Sequence, residues 1–155
     1  MLLKYLFELF TQHIPETLAI AYTGTVFLKN QLKFKPILYI GFISGVLILL
    51  LRKLPMTFGF HTIIYIFIVT MMFHYFYKKE SLECFIAVLK TIILLTILEV
   101  IFSYIFISFT SLNVELIRNN SGIKSLVILP QNLLLFLIGY YLYKRRKKKP
   151  KKGDN

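Results

Sequence analysis

Six side chains stand where polar groups are costly to place. Glu16, Arg52, His61, Glu99, Gln131 and Asn132 each lie within, or at the edge of, a long apolar run. Glu99 is set deepest, inside TILEVIF. A carboxylate near the middle of a bilayer costs about 3 kcal/mol on insertion scales. It must therefore be protonated, paired or turned toward a polar cavity. Such a group can contact a ligand or act as a proton-linked switch. It can equally be a neutral glutamic acid bonded to a neighbouring helix. Glu16 and His13 are one helical turn apart around Pro15 and read as an interfacial pair with ordinary solvation. Gln131 and Asn132 follow Pro130. A proline inside a membrane helix leaves a backbone carbonyl without its donor, and amides can satisfy it across helices. A static kink explains the same residues. The sharper expectation is that all six border one outward-facing, ligand-binding pocket.

Two other arrangements could do chemistry. His74 and Cys84 flank one short loop, as a nucleophile and base would in a membrane peptidase. Activating a thiol needs a placed base, and no third residue stands out to orient the imidazole; a small buried cysteine is the plainer reading. The second arrangement is a metal site, and the spacing argues against it. His61 and His74 are thirteen residues apart, and neither an H-E-x-x-H motif nor a His/Cys cluster occurs. Neither metal nor cofactor is expected. The single cysteine also excludes an internal disulfide.

These residues must be held by membrane spans. Of 155 residues, 57% are hydrophobic, and mean hydropathy is +0.68. A soluble domain of this size cannot bury so much Ile, Leu and Phe, which excludes an ordinary soluble enzyme and a disordered chain. A span needs roughly 20 apolar residues. Five runs qualify: one ending at Leu28, then about 36–51, 58–77, 84–109 and 126–143. The first starts at Ile14, or continues from Leu2 through a bend at Pro15. The runs are apolar on every face and lack the alternation of a membrane barrel, so they predict an all-α polytopic bundle of five spans. Six is the second choice, with residues 2–12 crossing separately. The N-terminus resembles a signal peptide only loosely: Glu8 interrupts its apolar stretch and no A-x-A-like cleavage site follows, so it reads as retained. Gly41 and Gly45 form a GxxxG pattern that lets helices approach closely, within the protein or between protomers, with intramolecular packing the expected use.

Charge divides the chain at residue 143. Residues 144–155 hold eight Lys/Arg and one Asp, most of the formal net charge of +12. The expectation is a transmembrane domain over 1–143 and a basic tail over 144–155. One side of the membrane collects Lys29, Lys33, Lys35, Lys78, Lys79 and the tail; the other holds Lys4, Arg52, Lys53, Arg118 and Lys124. By the positive-inside rule the tail is cytoplasmic and the N-terminus and the 111–125 loop are outside, in the cell membrane. The tail reads as a stop-transfer signal and an anchor on anionic lipid. No stacking aromatics follow Tyr143, so nucleic acid is not an expected partner.

The string RKLPMTFGFHT at 52–62, preceded by Ile14-Pro15-Glu16 and followed late by Leu129-Pro130-Gln131, carries a resemblance. In this order it resembles the N-terminal membrane sensor regions of Firmicutes Agr-type and related receptor histidine kinases, over about residues 10–146. The resemblance implies a sensor-like helical bundle. These 155 residues hold no phospho-accepting helix and no ATP site, so kinase activity is not carried over. The expected function is non-enzymatic: a sensor-like or regulatory membrane protein, binding a small signal or peptide near its outer face. It would act through a signalling partner or a second copy. The alternatives are a membrane cysteine peptidase using Cys84 and His74, and a small transporter or substrate-binding subunit centred on Glu99.

Overall fold

Pro15 shapes the first helix. The computed structural model describes residues 2–51, 60–110 and 121–148. Helix α1 (Leu2–Glu8) runs directly into a π-helical segment, Leu9–His13, and then into α2 (Ile14–Phe27). Pro15 carries no N–H, and its ring collides with the carbonyl one turn back in a regular α-helix. The turn before it is widened: the Ile14 N–H donates to the Leu9 carbonyl, five residues back, which is the π pattern. The chain thus stays helical from Leu2 to Phe27. The 14 residues of α2 are only about 21 Å long, short of a ~30 Å hydrocarbon core. A crossing by this part of the chain would therefore need the segment from Leu2, and no reversal separates residues 2–12 as the six-span arrangement requires.

The remaining helices are α3 (Phe34–Leu51), α4 (Phe60–Tyr77), α5 (Ser81–Thr110) and α6 (Ser121–Lys148). All four are long and apolar enough to cross a membrane. No strand occurs among the described residues. The protein is an all-α, polytopic membrane bundle. Its last helix extends past the expected end at Tyr143, through Lys144 to Lys148. The boundary at 143 is thus a change of charge, with no break in the helix; Lys149 to Asn155 lie outside the described residues.

Helix α2 is the axis, touching α3, α5 and α6 along its length. Thr17 and every residue from Ala19 to Val26 are buried. The outer helices each bury one stripe. On α3 it is Ile37, Ile40, Gly41, Ser44, Gly45 and Ile48; on α5 it is Cys84, Ala87, Val88, Thr91, Leu95 and Leu98. Lipid tails are as apolar as leucine, so hydrophobic burial does little to hold such helices together; close packing and interhelical hydrogen bonds do. The composition of α2 supplies both. Two of the chain's three alanines, Ala19 and Ala21, lie on it, and the third, Ala87, is buried on α5. Its threonines each reach a different neighbour. The Thr17 hydroxyl lies 2.6 Å from the Gly41 carbonyl of α3. Thr23 donates to the Leu135 carbonyl of α6 at 3.2 Å, and Thr25 shares a 2.8 Å hydrogen bond with the Tyr77 hydroxyl of α4. Glycines permit the approach: a Cβ on Gly41 would sit 2.4 Å from Leu18 Cδ2 and 3.0 Å from Leu18 Cα. Gly45 faces Thr17 and Ile14. The GxxxG face is therefore taken up inside the chain, against α2.

Helices α2 and α6 run parallel, since Gln12 meets Ser125 at one end and Asn30 meets Arg146 at the other. At this second end α2 closes in a Schellman motif: Lys29 N–H donates to the Val26 carbonyl and Asn30 N–H to the Thr25 carbonyl. Lys29 has φ 55°; Lys78, after α4, has φ 50°. A side chain in this left-handed conformation costs roughly 1–2 kcal/mol, which is why glycine usually fills the position. Arg146 completes the end, donating to the carbonyls of Val26 at 3.3 Å and Asn30 at 3.0 Å. The last carbonyls of a helix lack partners within it, and a cation suits the negative end of its dipole.

Candidate functional site

The helix directions bring three of the six expected residues together. Helix α5 runs antiparallel to α2, with Thr91 beside Gly24. Eight residues on, Glu99 therefore stands level with Glu16, eight residues back. Helix α4 adds His61 from its first turn. Glu16, His61 and Glu99 line one cavity of about 110 Å³, with Thr62, Tyr65 and Thr96 adding hydroxyl groups. Glu16 lies eleven residues before the end of α2, which is about 17 Å along the axis. The cavity is therefore well removed from the Arg146 end of the bundle. Two carboxylates, an imidazole and three hydroxyls can hold one small, polar group, best a cationic one. The volume is far below the roughly 300–1,000 Å³ of a site that encloses a whole ligand. A larger molecule would enter by one end only.

Glu99 departs from the expected burial. It is exposed, on the flank of the cavity, at the nineteenth of the thirty residues of α5. The α5 stripe ends at Leu98, so Glu99 sits just past the last tightly packed turn. Gln131 and Asn132 do not border the cavity. They are buried on α6, and Gln131 Oε1 and both polar atoms of Asn132 have no hydrogen-bond partner among the described residues. The physical reason is rotational: with Ser125 and Leu135 turned to the first helical rod, this face of α6 points into the bundle. Arg52 lies outside the described residues, as do most of the 52–62 string and residues 111–120.

His13 is not the solvated interfacial group expected; it is 4% exposed, beside Gln12 at 2%. The π-helical turn rotates both inward, where Gln12 Nε2 donates to Ser125 Oγ at 3.1 Å and Thr11 shares a 3.1 Å hydrogen bond with the same hydroxyl. This polar cluster was missed from sequence. The signal for it was present: T-Q-H directly before a helical proline, where the widened turn re-aims side chains.

His74 and Cys84 converge on one atom. His74 Nδ1 is 2.6 Å from the Lys79 carbonyl and Cys84 Sγ is 3.9 Å from it. Both therefore donate to the backbone. The thiol is 0% exposed, closed off from any peptide bond it would have to attack. Among the described residues no group of three or more His, Cys, Asp or Glu side chains could hold a metal ion. A larger hollow, about 590 Å³, is an apolar groove on the outside of the bundle, between Phe10, Leu18 and Phe42. Comparison of the chain with protein-family models, with curated proteins and with solved structures finds no match.

Proposed function

We propose that this membrane protein is sensor-like or regulatory, taking one polar end of a small signal or peptide into the Glu16–His61–Glu99 cavity. The observation that carries the reading is that Glu16 belongs to the central helix. The same helix is clasped at its far end by Arg146, so a ligand that shifts α2 acts on the basic end of α6. The effect is then read by a partner, a signalling protein or a second copy. The resemblance to Agr-type sensor regions agrees with this division of labour. The buried Cys84 thiol opposes the peptidase alternative.

The reading places the cavity outside the cell and the basic end in the cytoplasm, as the distribution of Lys/Arg requires. In a Cys84→Ser background, Asn119→Cys should react with an impermeant thiol reagent in whole cells, and Lys151→Cys should react only after lysis. The opposite pattern overturns the orientation.

The site itself is tested with charged probes. In the same background, Thr62→Cys places a thiol at the cavity. A cationic methanethiosulfonate should modify it from outside faster than an anionic one, by on the order of ten-fold, because carboxylates lining a cleft raise the local concentration of cations. Glu16→Gln and Glu99→Gln should each narrow the ratio. An unreactive thiol, or one indifferent to both substitutions, removes the outward site and with it the sensor reading.

A further inference from the structure

The end of the bundle opposite this cavity carries a second hollow with the chemistry of a lipid headgroup. It measures about 240 Å³ and lies between the end of α2 and the first turns of α5. Lys29, Lys79 and Lys90 line its rim, while Phe27 and Ile86 form part of its apolar wall. Glu83 is the one acid on it, and Lys79 pairs with it at 3.6 Å. Two positive charges are thus left over. Lys90 is nine residues into α5, about 13 Å along its axis. An ammonium at that depth extends back along the helix toward the membrane surface. Lys29 comes from the other side, in the left-handed conformation that closes α2. Glycine fills that position without steric cost; lysine there adds only its side chain, at a residue that lines this hollow.

We propose that the hollow binds the phosphate of an anionic phospholipid of the cytoplasmic leaflet. Lys29 and Lys90 hold the phosphate from two sides. Lys79, oriented by Glu83, contacts the headgroup, and the acyl chains run down past Ile86 on the outside of α5. A cationic rim over an apolar wall matches a lipid better than it matches a free anion, which has no use for the wall. This site is distinct from the diffuse attraction of a basic tail to a charged surface, because its lysines come from two helix ends fixed against each other. It does not depend on a ligand in the Glu16–His61–Glu99 cavity, and takes only its leaflet from the orientation proposed above.

The test uses the purified full chain in phosphatidylcholine bilayers containing spin-labelled phosphatidylglycerol. The parent should hold a motionally restricted phosphatidylglycerol population that spin-labelled phosphatidylcholine does not reproduce. Lys29→Gln with Lys90→Gln should weaken that preference at least five-fold. Lys33→Gln with Lys35→Gln removes the same charge at the same end but away from the hollow, and should change it less than two-fold. Lys29→Gly separates charge from folding: it relieves the backbone and should melt no lower than the parent, yet still lose the preference, whereas Lys29→Arg should keep it. Equal losses in the two Gln pairs would mean surface charge alone. Displacement of the labelled lipid by inorganic phosphate at matched ionic strength would mean a soluble-anion site. Either result overturns the assignment.

Discussion

Gly41→Val should be the most damaging single substitution in the described part of the chain. The added Cβ alone meets Leu18 Cδ2 at 2.4 Å and the Leu18 Cα at 3.0 Å. The second contact is with backbone, so no rotamer change relieves it; α3 must move away from α2. That movement also breaks the 2.6 Å hydrogen bond from Thr17 to the Gly41 carbonyl. Overpacking of this kind costs about 1–3 kcal/mol, and more where backbone must shift. Thermal unfolding in detergent should show a marked loss for Gly41→Val. Gly45→Val should lose less, since its nearest backbone atom is at 3.4 Å. Ile43→Val, on the lipid-facing side of the same helix, should be close to neutral. The alternative use of the GxxxG pattern, between protomers, makes a different prediction. Gly41→Val would then dissociate an oligomer while the protomer melted as before. That outcome would refute the packing of α3 on α2.

The helices were legible in the sequence because a membrane leaves few choices. A continuous apolar run bounded by charges can satisfy its backbone in lipid only as a helix. The runs at 36–51 and 58–77 accordingly match α3 and α4 within a few residues. What hydropathy does not contain is rotation. Glu16, His61 and Glu99 could be grouped from sequence because Lys/Arg topology sets their depth, and all three come out level. Gln131 and Asn132 were assigned to the same pocket by depth as well, but their face of α6 is fixed by Ser125 and Leu135 against the first helical rod. The central place of α2 was also present, though weakly, in its small and hydroxylated residues. The inward turn of Gln12 and His13 was not legible from periodicity, because the π-helical turn shifts the register by one residue. Arg146 was hidden for another reason. In a run of basic residues, composition does not distinguish the one side chain that finds two backbone carbonyls from neighbours that face water.

Arg146→Ala is therefore expected to separate two functions that the tail's charge confounds. Arg146 and Arg145 are adjacent, carry the same charge and contribute equally to the positive-inside signal. Only Arg146 bonds the end of α2, through Val26 and Asn30. Hydrogen bonds from a charged donor contribute about 1.5–3 kcal/mol when well shielded. This pair is only partly buried, so the expected loss for Arg146→Ala is about 1–2 kcal/mol, against a change within about 0.5 kcal/mol for Arg145→Ala at the exposed neighbour. Arg146→Lys should recover only part of the loss, because an ammonium cannot reproduce the fork that spans two carbonyls. Both Ala variants should keep the parent's orientation in the labelling experiment. The two should then differ at the far end of the molecule. If α2 links the cavity to the basic end, Arg146→Ala should change the reaction rate of Thr62→Cys with the cationic reagent, and Arg145→Ala should not. Coupling of that kind needs an element with two arrangements that both ends can bias, and α2 is the one helix on which both ends act. Identical melting and labelling of the two Ala variants would reduce the tail to a topogenic charge. The link between the cavity and the basic end would then have to run through α3, α4 or α5, the other helices that line the cavity.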